Sequence, residues 1–214
     1  MLPAASLVVA PPRTVLADRR DGRAGSVPRD AVLVVGAALL TALLAQLRID
    51  LPFTPVPITG QTLAVLLTGA SLGAARGALG QALYVGLGVV GLPVYAGATG
   101  GWAVATGPTL GYLVGFVLAA AAVGRLAELR HDRSMLTAIP AMLLGTAIVY
   151  ACGASWLAHD LGIPLATGAT NAVGLGVAPF LVGDAIKVAI AAVATSGAWR
   201  LARRQPRGWW QATN

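Results

Sequence analysis

Asp184 and Lys187 stand three residues apart in the apolar stretch Gly183-Asp-Ala-Ile-Lys-Val-Ala-Ile-Ala-Ala-Val, and Lys187 is the single lysine of the chain. Residues at i and i+3 share one face of a helix. A carboxylate on that face accepts N–H groups, and an ammonium donates to carbonyl or carboxylate oxygens. Together they suit a small ligand, neutral or anionic, that carries both donors and acceptors. Each ionisable group costs about 2.5–3.5 kcal/mol at the centre of a membrane helix on insertion scales, so such residues usually line a site or a pathway. A mutual salt bridge that only locks the helix is the plainer alternative. Val or Leu would pack that face at far less cost, and the ligand site is the favoured reading. Proton exchange within the pair, as in an antiporter, predicts further carboxylates inside the spans, and none occurs. Counted from Gly176 at ~1.5 Å per residue, Asp184 falls about 12 Å below a helix start, within reach of a pocket open to the outside.

The elements that must position this pair follow from composition. Of 214 residues, 57% are hydrophobic and only 11% charged, with a mean hydropathy of +0.75. Soluble domains carry about 25% charged residues. A spanning helix needs about 20 mostly apolar residues, and runs of that kind lie near 30–49, 58–75, 77–95, 108–127, 135–157 and 176–199. The expected architecture is an all-α integral membrane protein of the cell membrane with six transmembrane helices. Residues 1–29 read as a disordered cytoplasmic extension, 30–203 as the membrane domain and 204–214 as a cytoplasmic tail. Of the 15 Lys and Arg residues, all but Arg48 and Lys187, hence 13, then fall in inner segments. This positive-inside bias places both termini in the cytoplasm. The formal charge of +7 is thus a topology signal, and a nucleic-acid partner is not expected. The second and third spans are short, because Arg76 divides one apolar run; local bilayer thinning accommodates such helices.

Several chemistries have no residues to perform them. Cys152 is alone, and His131 and His159 fall in loops without neighbouring ligands, so neither a disulfide nor a metal site is expected. No Walker motif and no constellation of nucleophile and base occurs. Catalysis is therefore not expected, nor any cofactor, and ATP use would have to come from partners.

Two outer loops are candidates for contact with a ligand. In Leu51-Pro-Phe-Thr-Pro-Val-Pro-Ile-Thr-Gly-Gln61-Thr62, three prolines hold a stiff extended backbone. With Thr54, Thr59, Gln61 and Thr62 it reads equally as a cap over a ligand or as a connector that reverses direction. The uncharged, glycine-rich segment 91–109 presents Tyr95 and Trp102, either as ligand walls or as membrane-interface anchors. Small residues recur at helical spacing: Ala38 and Ala42, then Gly69, Gly73, Gly77 and Gly80, then Gly107, Gly111 and Gly115. Such faces let helices approach closely in lipid. For Ala38 and Ala42 the spacing alone favours packing inside the domain.

The blocks Leu51-Pro-Phe-Thr-Pro-Val-Pro-Ile-Thr-Gly-Gln-Thr-Leu63, Leu92-Pro-Val-Tyr-Ala-Gly97, Gly107-Pro-Thr-Leu-Gly-Tyr-Leu-Val-Gly-Phe116 and Gly183-Asp-Ala-Ile-Lys187, in this order, strongly resemble the BioY family. Its members are the biotin-specific S-components of energy-coupling factor (ECF) transporters. The resemblance runs from about residue 31 to 200. It implies capture of biotin from outside, and partnership with a transmembrane coupling subunit and two ABC-type ATPases. An autonomous secondary biotin transporter is the competing function. The resemblance also implies biotin-binding roles for Asp184 and Lys187 and docking of the coupling subunit through Ala38 and Ala42. Asp184 would take ureido N–H groups and Lys187 a ureido or carboxylate oxygen. Thr59 and Gln61 would belong to the cap, and Leu63, Tyr84, Tyr95 and Trp102 would wall the bicyclic ring.

Overall fold

Apolar runs become helices here wherever glycine and proline leave them intact. The computed structural model describes residues 15–19 and 26–204; the rest of the expected N-terminal extension and the tail 205–214 lie outside the described residues. Helix α1 (Val27–Ala45) carries Pro28 in its first turn, where a missing N–H costs nothing. It leads into β1 (Arg48–Ile49), which pairs antiparallel with β2 (Ile58–Thr59), Arg48 opposite Thr59. Helices α2 (Gln61–Leu72), α3 (Ala74–Val89), the single turn α4 (Trp102–Ala105), α5 (Leu110–Glu128), α6 (Met135–Leu161), α7 (Ala172–Gly176) and α8 (Leu181–Arg204) follow. Pro108 lies two residues ahead of α5.

The all-helical expectation holds, and the six expected spans divide by helix length into four long helices and one short pair. Among the described residues, four segments are long and apolar enough to cross a membrane: Val27–Ala45, Leu110–Glu128, Met135–Leu161 and Ala172–Ala202. Helices α2 and α3 have 12 and 16 residues, roughly 18 and 24 Å of axis, less than a hydrocarbon core of about 30 Å. The divide falls at Gly73, whose φ of +86° only glycine adopts readily. A Glu128 oxygen then accepts the Ala74 N–H at 3.0 Å, so a carboxylate from α5 caps the start of α3.

Helix α5 is the axis of the bundle and packs most extensively on α6, then on α2 and α3. A Cβ at Gly69 would come within 2.8 Å of the Ala120 carbonyl oxygen, and one at Gly115 within 2.9 Å of the Val149 Cα. At Gly111 it would collide with the Cys152 carbonyl and the Trp156 Cβ. The glycine repeats are thus internal packing faces. At Gly88 the Tyr95 ring occupies the place of the missing side chain.

Polarity runs inside out. Val32, Leu39, Leu43, Ile186 and Val193 are exposed, whereas Thr41, Thr68 and Gln81 are buried. The Gln81 side chain joins Thr41 and Thr68 through hydrogen bonds of 3.0–3.2 Å, tying α1, α2 and α3 together. Exposed apolar faces of this extent are lipid contacts.

Ala38 and Ala42, read as a docking pair by resemblance and as an internal packing pair by spacing, lie on a packed face of α1. Ala38 is 1% exposed in the principal core, and Ala42 packs against the same cluster. Both lie on the side of α1 shared with Ala37, Thr41 and Ala45, which faces α3; a Cβ at Gly80 would reach the Ala37 Cβ at 2.5 Å. Small-residue spacing signalled close approach, and the approach is internal. At the other end of the bundle, residues Leu16–Arg19 form one 3-10 turn, and Val15 is buried. Arg76 pairs with Asp18 at 2.7 Å and with Asp30 at 2.9 Å, joining this turn to α1 and α3.

Substituting Gly111→Val should force α5 away from α6 and destabilise the protein by about 1–3 kcal/mol. Thermal denaturation in detergent measures this; an unchanged melting temperature would show that the α5–α6 contact is not sterically limited.

Candidate ligand-binding site

The helix expected to start at Gly176 begins later: α7 ends there, Ala178–Phe180 forms a 3-10 turn around Pro179, and α8 begins at Leu181. Asp184 therefore sits in the first turn of α8, where the peptide dipole favours negative charge. The Tyr112 hydroxyl donates to the Gly176 carbonyl at 2.7 Å, satisfying backbone released at the break.

Asp184 and Lys187 do share a face, and two other helices complete their surroundings. Lys187 Nζ lies 2.6 Å from Asp184 Oδ1, with side chains only 15% and 6% exposed. Thr62, in the first turn of α2, donates to Asp184 Oδ1 at 2.9 Å and accepts from Lys187 at 3.1 Å. Tyr150 of α6 donates to Asp184 Oδ2 at 2.5 Å. An ionised carboxylate offers about four acceptor positions and an ammonium three donors. Three positions on Asp184 and two N–H groups of Lys187 are thus engaged within the protein. One acceptor position, on Oδ2, and one donor remain side by side.

That remaining capacity faces a cavity of about 290 Å³, at the small end of the range for ligand pockets, roughly 300–1,000 Å³. Asp184, Lys187, Thr62 and Tyr150 line it, with Tyr84, Tyr95, Tyr112 and Phe116 as aromatic walls. Tyr84 and Tyr95 meet edge to face, their centroids 5.6 Å apart. Gln61 donates to the Tyr84 hydroxyl at 2.7 Å and accepts from Thr59 at 2.7 Å. The Tyr84 hydroxyl proton is therefore left for an acceptor in the cavity. Pro55, Val56 and Pro57 of the proline-rich loop line the cavity as well, as do Ala96 and Thr99 of the glycine-rich one.

Of the residues expected at the site, Asp184, Lys187, Thr59, Gln61, Tyr84 and Tyr95 come together. Leu63 and Trp102 do not. Leu63 turns toward the second core cluster, with Leu66, Val123 and Met142, because consecutive helix positions point about 100° apart. Trp102 is 69% exposed at the start of α4, outside the cavity lining. Sequence reasoning missed Tyr150, Tyr112 and Arg48 as lining residues. Tyr150 had one available signal, a polar-tipped aromatic in an otherwise apolar span.

Outward apolar helix faces around a ligand-sized cavity with an ion pair in its wall define a multi-pass protein of the cell membrane. The sequence model described as the BioY family matches residues 17–204. The chain is 39% identical over 173 residues to the biotin transporter BioY of Rhizobium etli, which covers 77% of this chain and 90% of that protein. It is 37% identical over 164 residues to the biotin transporter BioY of Thermotoga maritima, covering 75% and 91%. A solved structure of the S-component for biotin from an ECF-type ABC transporter superposes with a TM-score of 0.70 at 29% identity. It covers 86% of this chain and 96% of that one. The chain belongs to the BioY family.

Lys187→Met leaves the Asp184 carboxylate buried without its counter-charge, an arrangement that costs about 3–5 kcal/mol. The Asp184→Leu/Lys187→Met double variant should recover most of that loss in thermal denaturation. A double variant as unstable as the single one would show that the charges do not depend on each other.

Proposed function

We propose that the chain captures biotin at the outer side of the membrane, as the S-component of an ATP-driven ECF-type importer. The observation that carries this reading is the adjacent spare acceptor on Asp184 and spare donor on Lys187. A cyclic urea presents an N–H beside a carbonyl oxygen, the complementary pattern. The ureido N–H donates to Asp184 Oδ2 and the ureido oxygen accepts from Lys187, while the apolar bicyclic ring lies among Tyr84, Tyr95, Tyr112 and Phe116. Because each hydrogen bond completes an existing network, the floor needs little reorganisation when ligand arrives. The names of the relatives support biotin, and the structural neighbour supports the S-component role.

The proposed topology has six spans, with α2 and α3 a short pair that crosses with the help of the outer loops. Both termini lie in the cytoplasm, a sidedness supported by the inner clustering of Arg. A transmembrane coupling subunit and two ABC-type ATPases would supply the energy. The competing reading is an autonomous biotin carrier that works without ATPase partners. Uptake that stops when the ATP-binding partner is deleted supports the importer, and uptake that persists supports the carrier.

Biotin titration of the purified full chain, followed by tryptophan fluorescence, tests the ligand. Trp156 donates to the Gly107 carbonyl of the cavity wall at 2.9 Å and is a natural reporter. Asp184→Asn should weaken binding by at least about tenfold, 1.4 kcal/mol. Full affinity in Asp184→Asn would remove the role given to Asp184, and no binding by folded wild type would remove biotin.

A further inference from the structure

Charge is unevenly distributed along the cavity. Only three of its lining side chains are charged: Arg48, Asp184 and Lys187. The last two neutralise each other at 2.6 Å, with side chains only 15% and 6% exposed. A ligand carboxylate placed there would set two anions around one ammonium in a poorly solvated site, an unfavourable arrangement. The net positive charge of the lining therefore belongs to Arg48.

Arg48 stands at the opening. Its side chain is 35% exposed, and its ion-pair partner Asp50, at 2.6 Å, is 65% exposed. Nε is directed to Asp50, and Nη1 donates to the Ala96 carbonyl across the cavity entrance at 3.2 Å. Nη2 makes no hydrogen bond among the described residues. The guanidinium lies over Gly97, where a Cβ would collide with Nη1, so the glycine-rich loop is shaped around it. A planar group fixed at two nitrogens and open at the third is ready for an acceptor, and guanidinium matches carboxylate geometry.

We propose that Arg48 is the anion anchor of the site: it holds the carboxylate of the ligand at the cavity mouth through Nη2, while the Asp184–Lys187 pair reads the neutral head. This rests on the biotin reading above and adds to it the direction of the ligand and the residue that selects a free acid. The exposed Asp50 competes for the same cation and so limits the gain.

The test compares biotin with its uncharged amide on the full chain in detergent, for wild type, Arg48→Gln, Arg48→Lys and Asp50→Asn. Wild type should bind biotin about tenfold more tightly than the amide. Arg48→Gln should bind both alike, at the wild-type affinity for the amide, and Arg48→Lys should keep part of the preference. Asp50→Asn should strengthen biotin binding about two- to threefold and leave the amide unchanged, a surface-pair effect of modest size. An unchanged biotin-to-amide ratio in Arg48→Gln would overturn the assignment. If Arg48→Gln binds neither ligand, Asp50→Asn decides, and equal effects on both ligands overturn the proposal. Wild type that binds both equally sinks the anchor alone, whereas wild type that binds neither sinks the biotin reading and the anchor with it.

Discussion

A carboxylate and an ammonium buried this deeply must find most of their partners within the protein. That requirement organises this structure. Asp184 and Lys187 come from α8, Thr62 from α2 and Tyr150 from α6, so three helices must converge to within hydrogen-bond length at one point. The break ahead of α8 makes this possible. It puts Asp184 in the first turn, where unpaired N–H groups favour negative charge, and Tyr112 satisfies the carbonyl at Gly176. The loss of a continuous helix is thus coupled to the stability of the charge beside it.

Convergence demands helices that approach closely, and lipid supplies no hydrophobic drive to bring them together. Glycines on α2, α3 and α5 replace that drive with backbone contact. Gly69 lies against Ala120, Gly115 against Val149, and Gly124 against the Gly73–Ala74 link between α2 and α3. The Thr41–Gln81–Thr68 hydrogen bonds then fix α1 to the same group. Helix α5 supplies none of the three side chains hydrogen-bonded to Asp184, yet its packing sets the distance between the helices that carry them.

Sequence periodicity shows what one helix offers but not always to whom. The Asp184–Lys187 pair, the long spans and the glycine faces were legible because each depends on local spacing. Tyr150 was not, since its partner lies 34 residues away and its own segment reads only as apolar. Thr62 and Leu63 show the limit at finer scale: both open α2, and only the register of that helix turns the first toward Asp184 and the second into the core. Ala38 and Ala42 announced a close neighbour and could not say that it was α3. Arg48 was legible as the one outer arginine, a count about topology. Its place over Gly97 depends on how two loops meet.

Those loops complete the division of the site. Helices supply the floor, whose hydrogen-bond pattern is fixed by side chains locked in the bundle. The roof is built from segments tied together by a few bonds. Gln46 donates to the Tyr95 carbonyl at 3.1 Å and accepts from the Ala98 N–H at 2.9 Å, joining the end of α1 to the glycine-rich loop. Tyr95 in turn donates to the Val85 carbonyl at 2.7 Å, and its ring fills the notch left by Gly88. Across the entrance, Pro55 and Pro57 restrict the facing loop before any ligand arrives, which lowers the entropy that ordering would otherwise cost. Because α2 and α3 are too short to wall the whole length of the bundle, these loops wall the cavity end. The shortness that weakens them as spans is what opens space for a cavity above the ion pair.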